Sequence, residues 1–439
     1  MTNIALVVLD TLRKDRFDRY FDWLPGLRFE NAYSTANWTG PAHASIFTGR
    51  YGSEIGISSK SRAFDCRMSS IVEELADCGY TTRGWSANPN VSRTQGYDRG
   101  FEHFSGPLYM QYPNKNLLDF EHVLAEHGDS PAYKRYLLAA RECISGDCDT
   151  ANSLVHGYRS IRGIEEPGSV IDDGASTALR NAQETKFGDE EFLFVNLMEA
   201  HTPYFPPAEH REFDEPITTA FGDAYLGVDD PDAVRAGYES AVQYLAHIYK
   251  QIYEELVDNF EYIITISDHG ELLGEHHGMW NHVSGIYPEL VHVPVVISGP
   301  GLAGSVESTV SLLDVHRTIA SLAELTVSSR GQDLLSDDVQ SRQYIAEYRG
   351  PFAESLAKAR EDGIELGEYD RNLFAFAESS NYYGYEDYDG WHETGTSSVA
   401  NPQEYLHHLI ERYEMAEVEV TDSYLADEAM NRLADLGYL

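Results

Sequence analysis

Largely apolar runs alternate along this chain with segments of helical periodicity, and this alternation restricts the fold more than any other feature of the sequence. The apolar runs are Ile4–Leu9, Thr81–Ser86, Phe192–Leu197, Tyr262–Ser267 and Val293–Ser298. Nearly continuous apolar runs are typical of strands that are covered on both faces. Helical spacing is present over Ser69–Cys78 and Val234–Val257. The pattern predicts an α/β fold with a central, mainly parallel sheet flanked by helices.

Chemically reactive side chains follow the ends of the predicted strands. Asp10 comes directly after the first run, His201 shortly after the third, and Asp268 and His269 directly after the fourth. Open α/β sheets bind ligands at the carboxyl edge of their strands, so these side chains are expected to meet there. Carboxylates and imidazoles together suit a divalent cation. Taken singly, Asp10 also fits a helix cap, and His201 also fits a hydrogen bond within its loop.

The segment NWTGPAHASIF places Thr39 at the start of a predicted helix. Pro41 favours the first helical turn, so Thr39 is expected at or beside the N-cap. Free backbone N–H groups at that end of a helix bind phosphoryl or sulfuryl groups. An ordinary capping threonine fits the same pattern. The Gly- and His-rich stretch after the Asp-His pair adds His276, His277 and His282 within reach of the same edge.

These segments, in this order and with similar spacing, resemble the sulfatase family of the alkaline phosphatase superfamily. Lesser matches are LADCGYTTRGWSANPNVSRTQGYDRGFEHF, SLLDVHRTIASLAEL and the final RLADLGYL. The resemblance implies a sulfatase-like catalytic domain over residues 1–335, with residues 105–190 as an unmatched insertion or cap. The change of pattern from about residue 336 predicts a smaller C-terminal α+β subdomain over residues 336–439.

The nucleophile motif departs from the family pattern. Where sulfatases carry C/S-x-P-x-R, this chain reads Thr39, Gly40, Pro41, Ala42 and His43. Threonine is not a precursor of formylglycine, so the sulfatase modification is not expected. Within the superfamily, threonine here is typical of phosphodiesterases and of phosphoglycerol or phosphoethanolamine transferases. The resemblance therefore implies a metal-dependent hydrolase or transferase of phosphomonoesters or phosphodiesters, with Thr39 as the nucleophile.

The resemblance also implies one divalent cation, which it assigns to Asp10, Thr39, Asp268 and His269. Their oxygen-rich set of ligands favours Mn²⁺, Mg²⁺ or Ca²⁺, with Zn²⁺ as a further candidate. The MEAHTPY segment resembles members with one metal ion rather than two.

A second group of residues is predicted to surround the non-bridging oxygens of the substrate: His43, His201, His282 and Lys60. Either His201 or His282 is expected to protonate the leaving oxygen. Two other functions stay open, namely a sulfuric ester hydrolase that uses Thr39 without formylglycine, and a catalytically inactive binding protein of the same fold.

The charge balance restricts the partners. With 32 Lys and Arg against 72 Asp and Glu, the formal net charge is −40, which repels nucleic acids and anionic lipids. Dispersed acidic residues of this kind indicate a salt-adapted source, which we take to be a halophilic archaeon. The substrate is expected to be a small-molecule or glycan ester, and the oligomeric state is left open.

The remaining sequence signals concern location. The chain has neither a long apolar run nor a signal-peptide pattern, so we expect a cytoplasmic protein without stable membrane insertion. The four cysteines, Cys66, Cys78, Cys143 and Cys148, are expected to be free thiols.

Overall fold

In the computed structural model, the described residues are 2–107, 131–146, 173–219, 222–361, 365–378 and 382–413, with isolated positions between 110 and 154. Much of the predicted insertion at 105–190 and the final RLADLGYL segment therefore lie outside the described residues.

The strands, in chain order, are β1 (Ile4–Leu9), β2 (Leu27–Tyr33), β3 (Thr81–Ser86), β4 (His103–Ser105), β5 (Glu191–Leu197), β6 (Tyr262–Ile266), β7 (Leu272–Leu273), β8 (Trp280–Asn281), β9 (Val295–Ser298), β10 (Gly304–Ser311), β11 (Tyr344–Arg349), β12 (Asn372–Glu378), β13 (Tyr382–Glu386) and β14 (Trp391–Thr394).

The helices, in the same order, are α1 (Lys14–Tyr20), α2 (Thr39–Thr48), α3 (Gly52–Ile55), α4 (Ile71–Asp77), α5 (Ala132–Ser145), α6 (Ala175–Glu184), α7 (Asp223–Leu226), α8 (Pro231–Leu256), α9 (Pro288–Val291), α10 (Leu312–Leu322), α11 (Ala353–Glu361) and α12 (Pro402–Glu411). Short 3₁₀ turns occupy Arg93–Gln95 and Ala208–His210.

The central sheet has eight strands in the order β10-β2-β9-β6-β1-β5-β3-β4. Five neighbours, from β6 to β4, pair in parallel, and β9 runs antiparallel to both β2 and β6. All five predicted strands are present, and the predicted α/β fold with a mainly parallel sheet is confirmed.

Strand β1 lies at the centre of the sheet and supplies both of its apolar layers. Its six residues are all buried. Ala5, Val7 and Leu9 belong to the cluster that packs against α8, whereas the alternate residues of the strand belong to the cluster around α2, α4 and α10. Successive side chains of a strand point to opposite faces. A strand covered on both faces must therefore be apolar throughout, as this run is.

The second sheet is antiparallel, with the order β11-β12-β13-β14, and it packs against α12. It joins the central sheet beside the start of α2. There Glu347 of β11 forms a bridge with Ala36, and its carboxylate accepts hydrogen bonds from the backbone and hydroxyl of Ser53. A smaller C-terminal α+β unit is thus present, and its boundary at residue 335 stays a prediction.

The acidic surplus lies mostly at the surface. Among the described residues, nine carboxylates are buried: Asp10, Glu191, Glu199, Asp268, Glu271, Asp314, Glu347, Glu378 and Asp387. None of the helices in the described part of the chain combines the length and apolar character that a bilayer crossing requires. A surface of like charges repels itself, and dissolved salt screens that repulsion.

We therefore expect the melting temperature to rise by several degrees when KCl is raised from about 0.1 M to about 2 M, because a shorter Debye length weakens the repulsion among surface carboxylates. Calorimetry measures this shift. Sucrose serves as the uncharged control, since it stabilises by exclusion and not by screening. A melting temperature that stays constant or falls with KCl would contradict salt adaptation.

Candidate active site

The parallel strands β3, β5, β1 and β6 bring their carboxyl ends to one edge of the central sheet. Asp10 follows β1 directly, Asp268 and His269 follow β6, and His201 follows β5. The structure places Thr39 at the first residue of α2, where the extended Trp38 is the N-cap. The predicted convergence of these residues at the sheet edge is therefore present.

Three side chains form the centre of the site. Ligand atoms of Asp10, Asp268 and His269 all lie within 4.8 Å of one another, and the three residues are fully buried. The hydroxyl oxygen of Thr39 lies 3.3 Å from Nε2 of His269. This arrangement combines two carboxylates, an imidazole and a hydroxyl, which is the kind of donor set that binds a hard or borderline divalent cation.

Each carboxylate is held by one oxygen and leaves the other unused. Oδ2 of Asp10 accepts hydrogen bonds from the side-chain amides of Asn88, at 2.7 Å, and Asn196, at 3.3 Å. Oδ1 of Asp268 accepts from the backbone N–H groups of Thr11 and His269. Within the described residues, the second oxygen of each carboxylate accepts no hydrogen bond. Buried oxygens without a donor fit a cation.

His269 is oriented in the way that metal-binding histidines usually are. Its Nδ1 lies 2.9 Å from the carbonyl oxygen of Gly270 and donates to it. Nε2 is therefore the unprotonated nitrogen in the neutral ring. This nitrogen lies 3.5 Å from Oδ2 of Asp268 and 3.8 Å from Oδ1 of Asp10. The hydrogen bond from Nδ1–H to the Gly270 carbonyl fixes the orientation of the ring and its tautomer, and it leaves Nε2 for a metal ion.

The electrostatics of the two carboxylates agree with this interpretation. Burial raises the pKa of Asp10 to about 7, and the negative charge of Asp268 adds to the effect. Burial likewise raises the pKa of Asp268 to about 7. Two carboxylates at this distance, without a neighbouring cation, oppose each other's ionisation. A divalent cation between them would remove that conflict.

His43 lies beside this centre, but both of its ring nitrogens are engaged. Nδ1 lies 3.0 Å from the carbonyl oxygen of Thr39, and Nε2 lies 3.2 Å from the amide nitrogen of Asn196. The ring is fully buried among Phe47 and other aromatic rings, and burial lowers its pKa to about 3. This geometry argues against the predicted contact with a substrate oxygen. Instead, a neutral His43 forms hydrogen bonds with the Thr39 carbonyl and with the Asn196 amide.

His201 and His282 lie together at the site, as predicted. Their ring centroids are 5.0 Å apart, and the ring of His282 lies 4.5 Å from that of His269. Nδ1 of His201 lies 2.5 Å from the carbonyl oxygen of Thr202, and Nδ1 of His282 lies 3.3 Å from a carboxylate oxygen of Glu271. Both rings are nearly or fully buried. Their contacts with substrate stay a prediction.

Three other predicted residues are not brought to this centre. The ammonium group of Lys60 is 2.6 Å from the carboxylate of Asp370, and the lysine side chain is partly exposed. His276 pairs with Glu289 at 2.7 Å, and His277 lies 3.4 Å from Asp387. Because an acidic partner holds each of these side chains elsewhere, the geometry provides no support for a contact between Lys60 and substrate.

Two asparagines of the site were not predicted. The amide nitrogen of Asn88 lies 3.2 Å from the hydroxyl oxygen of Thr39 as well as 2.7 Å from Asp10. Asn88 follows β3 by two positions, so the rule that polar residues after strands share one edge could have found it. Asn196 lies inside the buried strand β5, where the apolar pattern conceals it.

The Sulfatase family model matches residues 3–325, which is most of the chain. The chain belongs to the sulfatase family. This membership confirms the family resemblance.

Among solved structures, a phosphonate monoester hydrolase from Silicibacter pomeroyi is similar, with a TM-score of 0.62 and 17% identity over 94% of each chain. A 2-O GAG sulfatase has a TM-score of 0.57 and 12% identity, over 93% of this chain and 90% of its own. The two structures share the fold with this chain.

A curated relative is the low-salt glycan biosynthesis sulfotransferase Agl7 of Haloferax volcanii, which is 29% identical over 132 residues. That match covers 28% of this chain and 31% of the relative, so the chain spans about a third of the relative's length.

Replacing Asn88 by alanine is expected to lower the affinity for Mn²⁺ by roughly 10- to 100-fold, because Asp10 loses the shorter of its two amide hydrogen bonds. Titration calorimetry on the metal-free protein measures the change. The control is Asn259→Ala, since the amide of that exposed residue bonds only its own helix end at Glu255. Equal affinities in wild type and Asn88→Ala would show that Asp10 is held without this amide.

Proposed function

We propose that this protein is a metal-dependent phosphoesterase or phosphoryl transferase of the sulfatase family, with Thr39 as its nucleophile. The observation that carries the proposal is the position of the Thr39 hydroxyl. It lies at the N-terminus of α2, 3.3 Å from Nε2 of His269 and beside two buried carboxylates with unused oxygens. A hydroxyl in that position faces both a cation site and the positive end of a helix.

Asp10, Asp268, His269 and Thr39 would hold the cation, and when bound it would lower the pKa of the Thr39 hydroxyl. The Thr39 hydroxyl loses its proton to solvent, its oxygen attacks phosphorus in line, an O–P bond forms, and the ester P–O bond breaks. His201 or His282, in the protonated form, donates a proton to the leaving oxygen. The resulting phosphothreonine is cleaved by water or passed to an acceptor alcohol. Backbone N–H groups of α2 stabilise negative charge on the transferred group.

A phosphoester is favoured over a sulfate ester by the nucleophile motif. Thr39 cannot become formylglycine, and His43 replaces the arginine of the motif. Similarity of fold to a phosphonate monoester hydrolase is consistent with this choice.

Sulfuryl chemistry is the second candidate. The curated relative is named as a sulfotransferase of glycan biosynthesis, and this supports a glycan or small-molecule sulfate as the alternative substrate. An inactive binding protein is disfavoured because Asp10, Asp268 and His269 remain within reach of one cation. We propose a cytoplasmic location, which the four free cysteines favour, since a reducing compartment keeps thiols unpaired.

Thr39→Ala is expected to lower kcat by roughly 10⁴-fold or more, because the attacking oxygen is lost while the fold is kept. Aryl phosphate monoester, phosphodiester, phosphonate monoester and sulfate ester are compared in molar KCl with Mn²⁺, Mg²⁺, Ca²⁺ or Zn²⁺. Thr39→Ser, which retains a hydroxyl, is the matched control and should keep measurable turnover.

The four substrates also separate the two candidates. Phosphoester cleavage that depends on Thr39, with little cleavage of sulfate, supports the proposal. Dominant cleavage of the sulfate ester would overturn the choice of phosphate, and full activity in Thr39→Ala would overturn the nucleophile.

A further inference from the structure

Glu271 is a fully buried carboxylate that lies next to the site and has no part in the cation cluster. The antiparallel hairpin of β7 and β8 pairs Leu272 with Asn281. Glu271 and His282 occupy the next position of that register, so they face each other across the hairpin. One oxygen of Glu271 lies 3.3 Å from Nδ1 of His282. The register of the hairpin therefore determines which histidine meets this carboxylate.

The backbone of His282 is fixed independently of its ring. Its carbonyl oxygen accepts a hydrogen bond of 2.7 Å from the amide of Asn37, two residues before the nucleophile. Its N–H donates to the side chain of Asn281. These bonds fix where the residue lies and leave the rotation and tautomer of the ring to its side-chain contacts. The ring is a neighbour of the rings of both His269 and His201.

The surroundings of the Glu271 carboxylate compensate its burial only in part. The guanidinium of Arg13 donates to the backbone carbonyl of Glu271, at 3.1 Å, and forms its ion pairs with Asp15 and Glu275. Burial raises the pKa of Glu271 well above its usual range, and the charge of Arg13 opposes this only partly. Within the described residues, Oε1 of Glu271 accepts no hydrogen bond. Burying a carboxylate with one oxygen unsatisfied is unfavourable compared with an apolar side chain of similar size. The contact with His282 is therefore the feature that a carboxylate provides here.

We propose that Glu271 is a positioning residue that accepts the Nδ1–H of His282 and so directs Nε2 of that ring toward the substrate. The carboxylate fixes the ring's rotation and its tautomer, as the acceptor on the far side of a histidine does in a catalytic triad or a metal site. His282, whose ring lies against the carboxylate of Glu271, is then the histidine that contacts the leaving oxygen. The inference rests on the proposed function: Nε2 takes up a proton before the ester bond breaks, the ring gives that proton to the leaving oxygen, and Glu271 stabilises the positive charge that the ring carries in between.

The test is a double-mutant cycle. Glu271→Met, which keeps the volume and removes the acceptor, is made in the wild-type and the His282→Asn backgrounds. In the wild type we expect kcat to fall at least tenfold with little change in KM, and to fall further for esters with poor leaving groups. In the His282→Asn background the same substitution should change kcat less than twofold, because the contact it removes no longer exists.

Two matched variants control for general damage. Glu271→Gln keeps an acceptor oxygen and should restore most of the lost turnover. Glu289→Met removes a different carboxylate–histidine pair near the same hairpin, the one that Glu289 forms with His276. This variant should leave kcat within about twofold, because that pair is separate from the contact between Glu271 and His282. Melting temperature and Mn²⁺ affinity of the apoprotein are measured for every variant.

A second readout does not require activity. In protein labelled with ¹⁵N-histidine, Nδ1 of His282 should be the protonated nitrogen in wild type and should change its shift in Glu271→Met. An equal loss of kcat in both backgrounds, or an unchanged His282 spectrum, would overturn the proposal. If the wild type cleaves no ester, the proposed function fails, and the ¹⁵N spectrum alone still decides whether Glu271 positions His282.

Discussion

The site depends on one electrostatic constraint: two carboxylates, Asp10 and Asp268, are buried side by side at the ends of adjacent strands. Burial opposes ionisation of both groups and raises both pKa values, and the negative charge of Asp268 raises the pKa of Asp10 further. Among the described residues, no lysine or arginine forms an ion pair with either carboxylate. Ionisation of both groups is therefore favourable only with a cation from outside the protein, and the proposed divalent ion would meet two oxygens that accept no hydrogen bond within the described residues.

The rest of the fold supplies rigidity to that pair. Strands β1 and β6 are hydrogen-bonded neighbours inside a sheet that is covered on both faces, so their ends do not move independently. The amide groups of Asn88 and Asn196 hold one carboxylate, and backbone N–H groups hold the other. These donors are uncharged, so they fix the positions of the carboxylates without compensating their negative charge, and that charge stays available to the proposed cation.

The sequence predicts some of this arrangement well because strand ends in a parallel sheet coincide. Asp10, Asp268, His269 and His201 each follow a strand, so the apolar runs alone suffice to group them. The direction of β9 was not predicted, because apolar pattern reports burial and not strand direction. The partners of Lys60 and His277 depend on contacts with distant residues, Asp370 and Asp387, that no local pattern contains.

His43 illustrates why a motif position does not determine a role. Its place in the motif, where sulfatases carry arginine, was the basis for the prediction that it contacts the non-bridging oxygens of the substrate. In the fold it is the fifth residue of α2 and is buried among aromatic rings, where a cation would be strongly disfavoured. A neutral imidazole suits that environment, since it accepts from Asn196 and donates to the Thr39 carbonyl. The exchange of arginine for histidine thus places a neutral side chain at this position, and in the proposed reaction the binding of the transferred group would depend on the cation, on the helix N-terminus and on the pair His201 and His282.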